Sequence, residues 1–384
     1  MTETAALRRT SATFGLYATF GCLGYLLTAL GAILPELREE RGLPRAEVAL
    51  YPSAFALGLV VIGFTGHRLA GRLGRLALPT ALAALAGGAG IMAVAGGRLG
   101  TGIGALVLGL GGAGLVQLIP AGLRDLHGGD GAVPIGEANA VASTASVLSP
   151  ILIGAALAHG LGWRFAFAVP PLAVAAALLL TRRAVAPAAA EATVPAAGER
   201  TPRAFVSRWL DLVLAVGVEF CMVFWAADFL RSAKDLGSGA ATTYSAAFLL
   251  GMAIGRIMSG PVVRAAGRPD RLLAAATLVG VAGFAIMWTA PAPVTVAGLL
   301  VVGLGVALLY PVILAQALAA WPSQPVRAAA RCALASGVAI GIAPLALGTL
   351  ADLTTLRAAV FVAPALLLTL LARCGWRLRT TPAS

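Results

Sequence analysis

Apolar residues run along almost the whole chain in long stretches, and polar residues gather in short segments between them. About 20 apolar residues in a helix cross the hydrocarbon core of a bilayer. The stretches are continuous and do not alternate with period two, which favours helices over a barrel. The pattern predicts twelve transmembrane helices, at about 13–35, 46–66, 76–97, 99–122, 138–160, 163–181, 209–230, 241–263, 271–291, 294–319, 329–351 and 356–374.

Composition supports this interpretation. Of the 384 residues, 59% are hydrophobic and only 11% are charged, whereas soluble domains have roughly 25% charged residues. The chain is therefore predicted to be an all-α membrane protein without a soluble domain. We expect no metal site and no cofactor, because the four cysteines lie singly on predicted spans. No hydrolase or metalloprotease motif accompanies the three histidines, which argues against an enzyme.

The net charge of +12 is explained by topology. Nineteen of the 28 basic residues fall on the side of the membrane that holds the N-terminus. Basic residues are enriched on the cytoplasmic side of membrane proteins, so both termini are predicted to be cytoplasmic. We therefore expect a multi-pass protein of the bacterial cell membrane, which is the inner membrane. We expect it to contact the lipid bilayer and no nucleic acid, and to be a monomer.

The chain is predicted to be a duplicated six-span unit. An offset of 193 to 194 residues aligns Gly58 with Gly251 and Gly74 with Gly267, and it also aligns further segments of spans four and five. A segment rich in Ala and Pro separates the two copies. Six crossings return the second copy to the same orientation, so a cavity is expected between two similar bundles. The predicted units are an N-terminal bundle at 1–182, a cytoplasmic linker at 183–208 and a C-terminal bundle at 209–384.

Two loops carry a known family pattern. The sequences HRLAGRLGR at 67–75 and GPVVRAAGR at 260–268 resemble the Gly-x-x-x-Asp-Arg-x-Gly-Arg loop of the major facilitator superfamily. The Asp of that pattern is replaced by Gly71 in the first loop and by Arg264 in the second. The resemblance implies that these loops latch the cytoplasmic gate, through the matching residues Arg72, Gly74, Arg75, Gly260, Gly267 and Arg268.

The resemblance covers the whole chain and implies two six-helix bundles that carry a small organic solute by alternating access. A finer resemblance to the fucose-permease-like sugar/proton symporters rests on Glu219 with Trp225 six residues later, and on Gly255-Arg256 in the next span. It implies proton-coupled uptake of a sugar-like solute. Proton-driven export of drugs or hydrophobic metabolites stays open, because the spans that would line the cavity are apolar and rich in Ala. Sodium stays open as the coupling ion, and a channel or a receptor of the same fold is the rival class.

Two acidic residues lie in the seventh predicted span, LAVGVEFCMVFWAADFL. An ionised carboxylate inside a bilayer costs at least about 2.5 kcal/mol unless it faces a cavity or a partner. Glu219 is central, and we predict that it exchanges the coupling proton, with Arg256 of the next span as a switchable partner. Asp228 lies about half a turn further round the helix and near its outer end. It is a further candidate for proton coupling, and the simpler interpretation is a solvated pair with Arg231 or Lys234.

Other polar residues lie deep within spans. Gln117 and Tyr310 occupy nearly equivalent positions in the two halves, as hydrogen-bonding groups at a repeat interface would. The predicted substrate cavity is lined by these two and by Tyr25, Glu219 and Trp225. Hydrogen bonding between helices is the alternative role for each of them.

Overall fold

A computed structural model describes residues 9–128, 132–180 and 200–380, and over these ranges the chain is helical without a β-strand. A single-turn 3-10 helix, Gly74–Leu76, lies between the second and third α-helices. The α-helices are α1 (Ser11–Arg41), α2 (Arg45–Leu73), α3 (Ala77–Val94), α4 (Arg98–Leu126), α5 (Ala132–Ala158), α6 (Trp163–Leu180), α7 (Arg203–Ser232), α8 (Ser238–Ile257), α9 (Ser259–Ala266), α10 (Pro269–Thr289), α11 (Ala292–Val306), α12 (Leu309–Ala319), α13 (Pro325–Leu353), α14 (Leu356–Ala359) and α15 (Val362–Thr380).

Within the described residues, 11 helical segments are long and apolar enough to cross a membrane. The prediction of an all-α, multi-pass membrane protein is thereby confirmed. Helix α8 corresponds to the eighth predicted span and is not among the 11. The polar run from Thr242 to Ser245 lowers its mean hydropathy, as does Arg256 near its end. The count of twelve spans and the cytoplasmic position of the termini therefore stay predictions.

The tenth predicted span is interrupted. Helix α11 ends at Val306 and α12 begins at Leu309, so Ala307 and Leu308 separate them. The cause is Pro311, which has no N–H to donate to the carbonyl oxygen of Ala307, four residues earlier. The break places Tyr310 in the first turn of α12.

Glycine contacts repeat between the first half of the chain (α1–α6) and the second half (α7–α15). A Cβ on Gly109 of α4 would lie 2.2 Å from the carbonyl oxygen of Phe55 on α2, and a Cβ on Gly303 of α11 would lie 2.0 Å from that of Phe248 on α8. Only glycine allows two helix backbones to approach this closely. The equivalent positions differ by 193 or 194 residues, the offset found in the sequence, so the repeat extends to the helix crossings.

The two halves meet along two seams. Helix α2 packs against α13 and α5 packs against α8, while α1 contacts α7 between the seams. In the first seam the Ser53 hydroxyl donates to the carbonyl oxygen of Gly341 at 2.7 Å. In the second, a Cβ on Gly154 would lie 2.2 Å from the Thr243 hydroxyl oxygen. The halves therefore contact each other through α1, α2 and α5 of the first half and α7, α8 and α13 of the second.

The bundle has two ends, which we name by the chain termini. The terminal end contains the start of α1 and the end of α15, and the distal end contains the end of α1 and the end of α7. Residues 183–199 of the predicted linker lie outside the described residues, and the last part of the linker is helical because α7 begins at Arg203. The proposed division at 1–182, 183–208 and 209–384 stays a prediction.

Candidate functional site

A cavity of about 90 Å³ lies between the halves and contains an ion pair. Glu219 of α7 and Arg256 of α8 face each other there, with 3.2 Å between Oε1 and Nη2. The Glu219 side chain is 15% exposed and the Arg256 side chain is 41% exposed. The pair is therefore close enough for a charge-assisted hydrogen bond and open enough to exchange protons or a ligand with the cavity.

The first half contributes hydroxyl groups to the same cavity: Thr28 on α1, and Ser143 and Ser146 on α5. The Thr28 hydroxyl donates to the carbonyl oxygen of Ser146 at 2.9 Å. The Ser146 hydroxyl donates to the carbonyl oxygen of Ala142 at 2.9 Å. Both hydroxyl protons are thus used within the protein, and these oxygens face a ligand mainly as acceptors. Arg256 is the strongest hydrogen-bond donor of the described lining.

The remaining lining is apolar. Leu27 comes from α1, Phe220 and Val223 come from α7, and Leu249 and Met252 come from α8. A ligand that fits this surface needs an apolar body together with a group that accepts hydrogen bonds from a guanidinium. The cavity therefore suits an amphipathic molecule.

Tyr310 lies beside this pair. Its side chain is next to Ser336 of α13 and within electrostatic reach of Glu219 and Arg256. Tyr310 lies in the first turn of α12, directly after the interruption between α11 and α12.

Three other residues predicted for the substrate cavity lie elsewhere. The Tyr25 hydroxyl donates to the carbonyl oxygen of Ala166 on α6, so Tyr25 is packed inside the first half. The Trp225 indole is 2% exposed and donates to the carbonyl oxygen of Pro344 at 3.0 Å. Both polar atoms are satisfied by main chain away from the cavity, which corrects the expectation that these two residues line it.

Gln117 faces a different, largely apolar cavity of about 220 Å³ between α2, α3 and α4. Its amide nitrogen lies 3.4 Å from the carbonyl oxygen of Ile62. Gln117 is therefore not among the residues that line the cavity of Glu219. Helical spacing along the sequence gives the depth of a residue, and it does not say which neighbouring helix the side chain faces.

Asp228 is buried, which corrects the expectation of a solvated pair with Arg231 or Lys234. Its side chain is 1% exposed, and its partners belong to the first half. The Oδ2 atom lies 2.7 Å from Nε of Arg45, and Oδ1 lies 3.5 Å from Nη2 of Arg38. Asp228 therefore joins the two halves at the distal end.

Further polar contacts join the halves at the same end. Arg231 of α7 pairs with Glu36 at 2.5 Å and also with Glu39, both on α1. The Asp352 carboxylate accepts from the backbone N–H of Arg45 at 2.9 Å and of Ala46 at 2.7 Å. These two amides start α2, whose own N-cap residue is a proline without a side-chain acceptor, so the second half caps a helix of the first.

The predicted gating loops lie at the terminal end. Gly74 and Gly267 have φ values of 50° and 64°, so both positions of the repeat use a backbone conformation that favours glycine. Arg72 and Arg75 are exposed, Gly260 is exposed on α9, and Arg268 is partly buried. The latch role of these loops stays a prediction.

An ion-pair network that the sequence did not predict lies inside the second half. Asp211 of α7 is 0% exposed and lies 2.5 Å from Nε of Arg373 and 2.9 Å from Nη2 of Arg377, both on α15. Asp270 of α10 pairs with Arg208 at 2.8 Å and with Arg377 at 3.0 Å. In the sequence, these arginines indicate only membrane topology. A carboxylate at the first turns of a span, Asp211, was the signal for this cluster.

The first half has a smaller counterpart. Glu137 of α5 accepts from Tyr17 at 2.5 Å and from Nε of Arg9 at 2.9 Å. These contacts join the start of α1 to the start of α5 at the terminal end. Among the described residues, no group of three or more His, Cys, Asp or Glu side chains is placed to hold a metal ion, and the four cysteines are buried and unpaired.

Two similar sets of membrane-spanning helices, packed along two seams around a cavity with an ion pair, define a multi-pass membrane transporter. The family model of the Major Facilitator Superfamily matches residues 16–330. The chain belongs to this superfamily, whose fold works by alternating access. No curated protein sequence is significantly similar to the chain.

Solved transporters share the fold. A bacterial homologue of the human lysosomal transporter Spinster, inward-facing and unoccupied, has a TM-score of 0.80 at 14% identity over 98% of this chain and 99% of that chain. The peptide transporter POT in complex with sulfate has a TM-score of 0.73 at 15% identity over 97% and 96%. The E. coli fucose:proton symporter FucP has a TM-score of 0.63 at 16% identity over 95% and 98%. Because a peptide transporter and a fucose:proton symporter both share the fold, the likeness does not single out the fucose-permease branch.

Proposed function

We propose that this protein is a proton-coupled secondary transporter of a small amphipathic organic solute, monomeric in the bacterial cell membrane. The observation that carries the proposal is the Glu219–Arg256 pair, 3.2 Å apart in the cavity between the halves. A carboxylate and a guanidinium exposed to one small cavity form a group whose net charge changes when one proton binds. Protonation of such a group therefore changes the charge that the cavity presents to a solute.

The proposed cycle follows from charge. Protonation of Glu219 removes its negative charge and leaves Arg256 as an unpaired cation in a mostly apolar cavity. An isolated charge is costly there, so Arg256 then binds an acceptor group of the solute or water that enters with it. Release of the proton restores the pair and displaces the solute. The proton binds Glu219 and the solute binds Arg256, so binding of one favours binding of the other.

A proton is favoured over sodium as the coupling ion. Glu219 is the acidic side chain among the described residues that line the cavity, and a guanidinium lies beside it. A sodium ion bound at Glu219 would be repelled by Arg256 at short distance in a poorly screened site. A proton avoids this repulsion because it neutralises Glu219.

An amphipathic solute is favoured over a sugar. The Thr28 and Ser146 hydroxyl protons already bond within the protein. A sugar presents many hydroxyl groups that need both donors and acceptors, and leaving them unpaired in an apolar cavity is costly. A solute with one anionic or strongly accepting group on an apolar body leaves fewer groups unsatisfied.

The contacts of the distal end are proposed to form one gate. With the termini in the cytoplasm, the distal end is the outer side, and the ion pairs of Asp228 and Arg231 keep it closed. The arrangement then faces inward, as the unoccupied bacterial homologue of Spinster does. The gating loops around Arg72, Gly74, Arg75, Gly260, Gly267 and Arg268 are proposed to close the opposite end.

The test is transport by the purified protein in proteoliposomes. Solutes that raise the apparent melting temperature in detergent are first selected from amphipathic anions, sugars and hydrophobic drugs. We expect an imposed pH gradient to drive accumulation or export of a selected solute by the native protein. Glu219→Gln is expected to abolish the effect of the gradient while exchange of solute for solute persists.

The matched control is Glu47→Gln, which removes an exposed acid paired with Arg98 inside the first half. It is expected to retain full dependence on the gradient. Gradient-driven transport that persists unchanged in Glu219→Gln would overturn the proposed coupling site. Selection of sugars alone in the screen would overturn the proposed solute class.

A further inference from the structure

A second cavity lies in the seam between α2 and α13, and it is separate from the cavity of Glu219. Its volume is about 220 Å³. The wall on the α2 side is apolar and includes Leu59, Val60 and Phe64. The wall on the α13 side includes Leu334 together with two arginines, Arg327 and Arg331. The seam thus combines an apolar slot with two positive charges at one end of it.

The two arginines have no acidic partner among the described residues. The ion pairs of the described chain include neither Arg327 nor Arg331, although many other arginines at the helix ends are paired. Their guanidinium groups lie over the ring of Trp321, at 5.5 Å and 5.1 Å from its centroid. Arg331 also donates to the Thr201 hydroxyl. Stacking and this bond hold the charges in place and leave them without a counter-anion.

The cavity lies between an apolar surface of α2 and the arginines at the start of α13. Leu57, Val61 and Phe64 form one stripe of α2, and their side chains are 53%, 40% and 65% exposed. Large apolar side chains that are exposed on a membrane helix face lipid chains. Arg327 is in the first turn of α13 and Arg331 is one turn further, at the terminal end. An amphiphile with its chain in the slot therefore brings its headgroup to these arginines.

The equivalent place in the repeat has the opposite charge. Arg331 on α13 corresponds to Glu137 on α5 at the offset of 194, and Glu137 is paired with Arg9. At this position the seam between α5 and α8 has an acid that is neutralised by an arginine. The seam between α2 and α13 has an arginine without an acidic partner among the described residues. Electrostatics distinguishes the two seams and directs an anion to one of them.

We propose that the cavity between α2 and α13 binds an anionic phospholipid of the membrane, with one acyl chain against Leu59, Val60 and Phe64 and its phosphate at Arg327 and Arg331. Basic pockets between transmembrane helices on the cytoplasmic side are the kind of site that takes such headgroups. Because the cavity lies between the halves, its width depends on their separation, and lipid occupancy is coupled to conformation. Transport of a solute is not required for this binding.

The experiment is native mass spectrometry of the full chain in detergent, titrated with phosphatidylglycerol or with phosphatidylcholine of the same acyl chains. The attraction of the two arginines for an anionic headgroup predicts that the first phosphatidylglycerol binds roughly 30-fold more tightly than the first phosphatidylcholine. Replacing both arginines, Arg327→Gln with Arg331→Gln, is expected to remove this preference. The matched control is Arg68→Gln with Arg379→Gln, two exposed arginines of the terminal end outside the lining, and it is expected to keep the preference.

A second variant tests the slot without changing charge. A Cβ on Gly63 meets nothing within 4 Å, so Gly63→Leu fits into the cavity that Gly63 lines. It is expected to weaken binding of both lipids, with an unchanged melting temperature as evidence that the chain still folds. Equal binding of the two lipids by the native protein, a preference that survives in the double arginine variant, or full binding by Gly63→Leu would each overturn the proposal. Binding of free glycerol phosphate as tightly as the lipid would show that the slot takes no acyl chain and would overturn it as well.

Discussion

Removal of the buried charge of Asp228 tests the distal gate. Asp228→Asn keeps the size of the side chain and leaves Arg45 and Arg38, which are 17% and 28% exposed, without their carboxylate. Breaking a buried ion pair costs about 3–5 kcal/mol when the remaining charge stays buried. Both arginines are partly exposed, so water recovers part of this energy, and we expect the closed distal end to lose about 2 kcal/mol. This corresponds to a roughly 30-fold shift of the closed-to-open ratio.

The assay measures the distance between spin labels across the distal end by pulsed electron resonance. Labels at Val94 and Leu353, which are 84% and 78% exposed, report one half each. The four native cysteines are buried and are replaced first. The native protein is expected to show one short distance, and Asp228→Asn is expected to add a longer one with a substantial population.

Two further variants decide whether the shift comes from the ion pair. Glu47→Gln breaks an exposed pair within the first half and is expected to leave the distances unchanged. Arg45→Ala is expected to open the distal end as Asp228→Asn does, and the double variant is expected to open it little further, because both remove the same contact. A distance distribution of Asp228→Asn that equals that of the native protein would refute the gate.

Two predictions concern stability, measured as the apparent melting temperature in detergent. Asp211→Asn is expected to lower it by several degrees, because Arg373 and Arg377, whose side chains are 29% and 12% exposed, then lose the carboxylate between them, at a cost of about 2 kcal/mol; an unchanged value would contradict the structural role of the network. Gly303→Ala is expected to lower it too, because the new Cβ would lie 2.0 Å from the carbonyl oxygen of Phe248, whereas Gly90→Ala meets nothing within 4 Å and is expected to be neutral or stabilising. Equal effects of the two alanine variants would argue against close helix packing at Gly303.

The spans and the repeat could be predicted from the sequence because both rest on local information. Apolar length predicts crossing, and the same glycines that aligned at the offset of 193 to 194 are those where helix backbones approach each other, as Gly109 and Gly303 show. The pairing of Glu219 with Arg256 was within reach as well, since neighbours in sequence order at similar depth tend to be neighbours in space.

The partners of Asp228 could not be predicted, because Arg38 and Arg45 come from the other half, where the packing of two bundles decides which residues meet. The predicted positions of Tyr25 and Trp225 in the substrate cavity were wrong for a related reason. The sequence gives their depth in a span. The direction of their side chains depends on the rotation of each helix in the bundle, which the sequence does not give. The network of Asp211 was hidden because an arginine that signals topology and an arginine that forms a buried pair have the same sequence pattern.

The measurement that tests the coupling site most directly is solute-induced proton movement in proteoliposomes loaded with a pH-sensitive dye. At equal pH on both sides, addition of a selected solute is expected to change the internal pH of vesicles with the native protein. Vesicles with Glu219→Gln are expected to exchange the labelled solute and to show no pH change, because the residue that carries the proton is gone. Proton movement of native size in Glu219→Gln, together with native solute flux, would contradict the assignment of Glu219 as the coupling site.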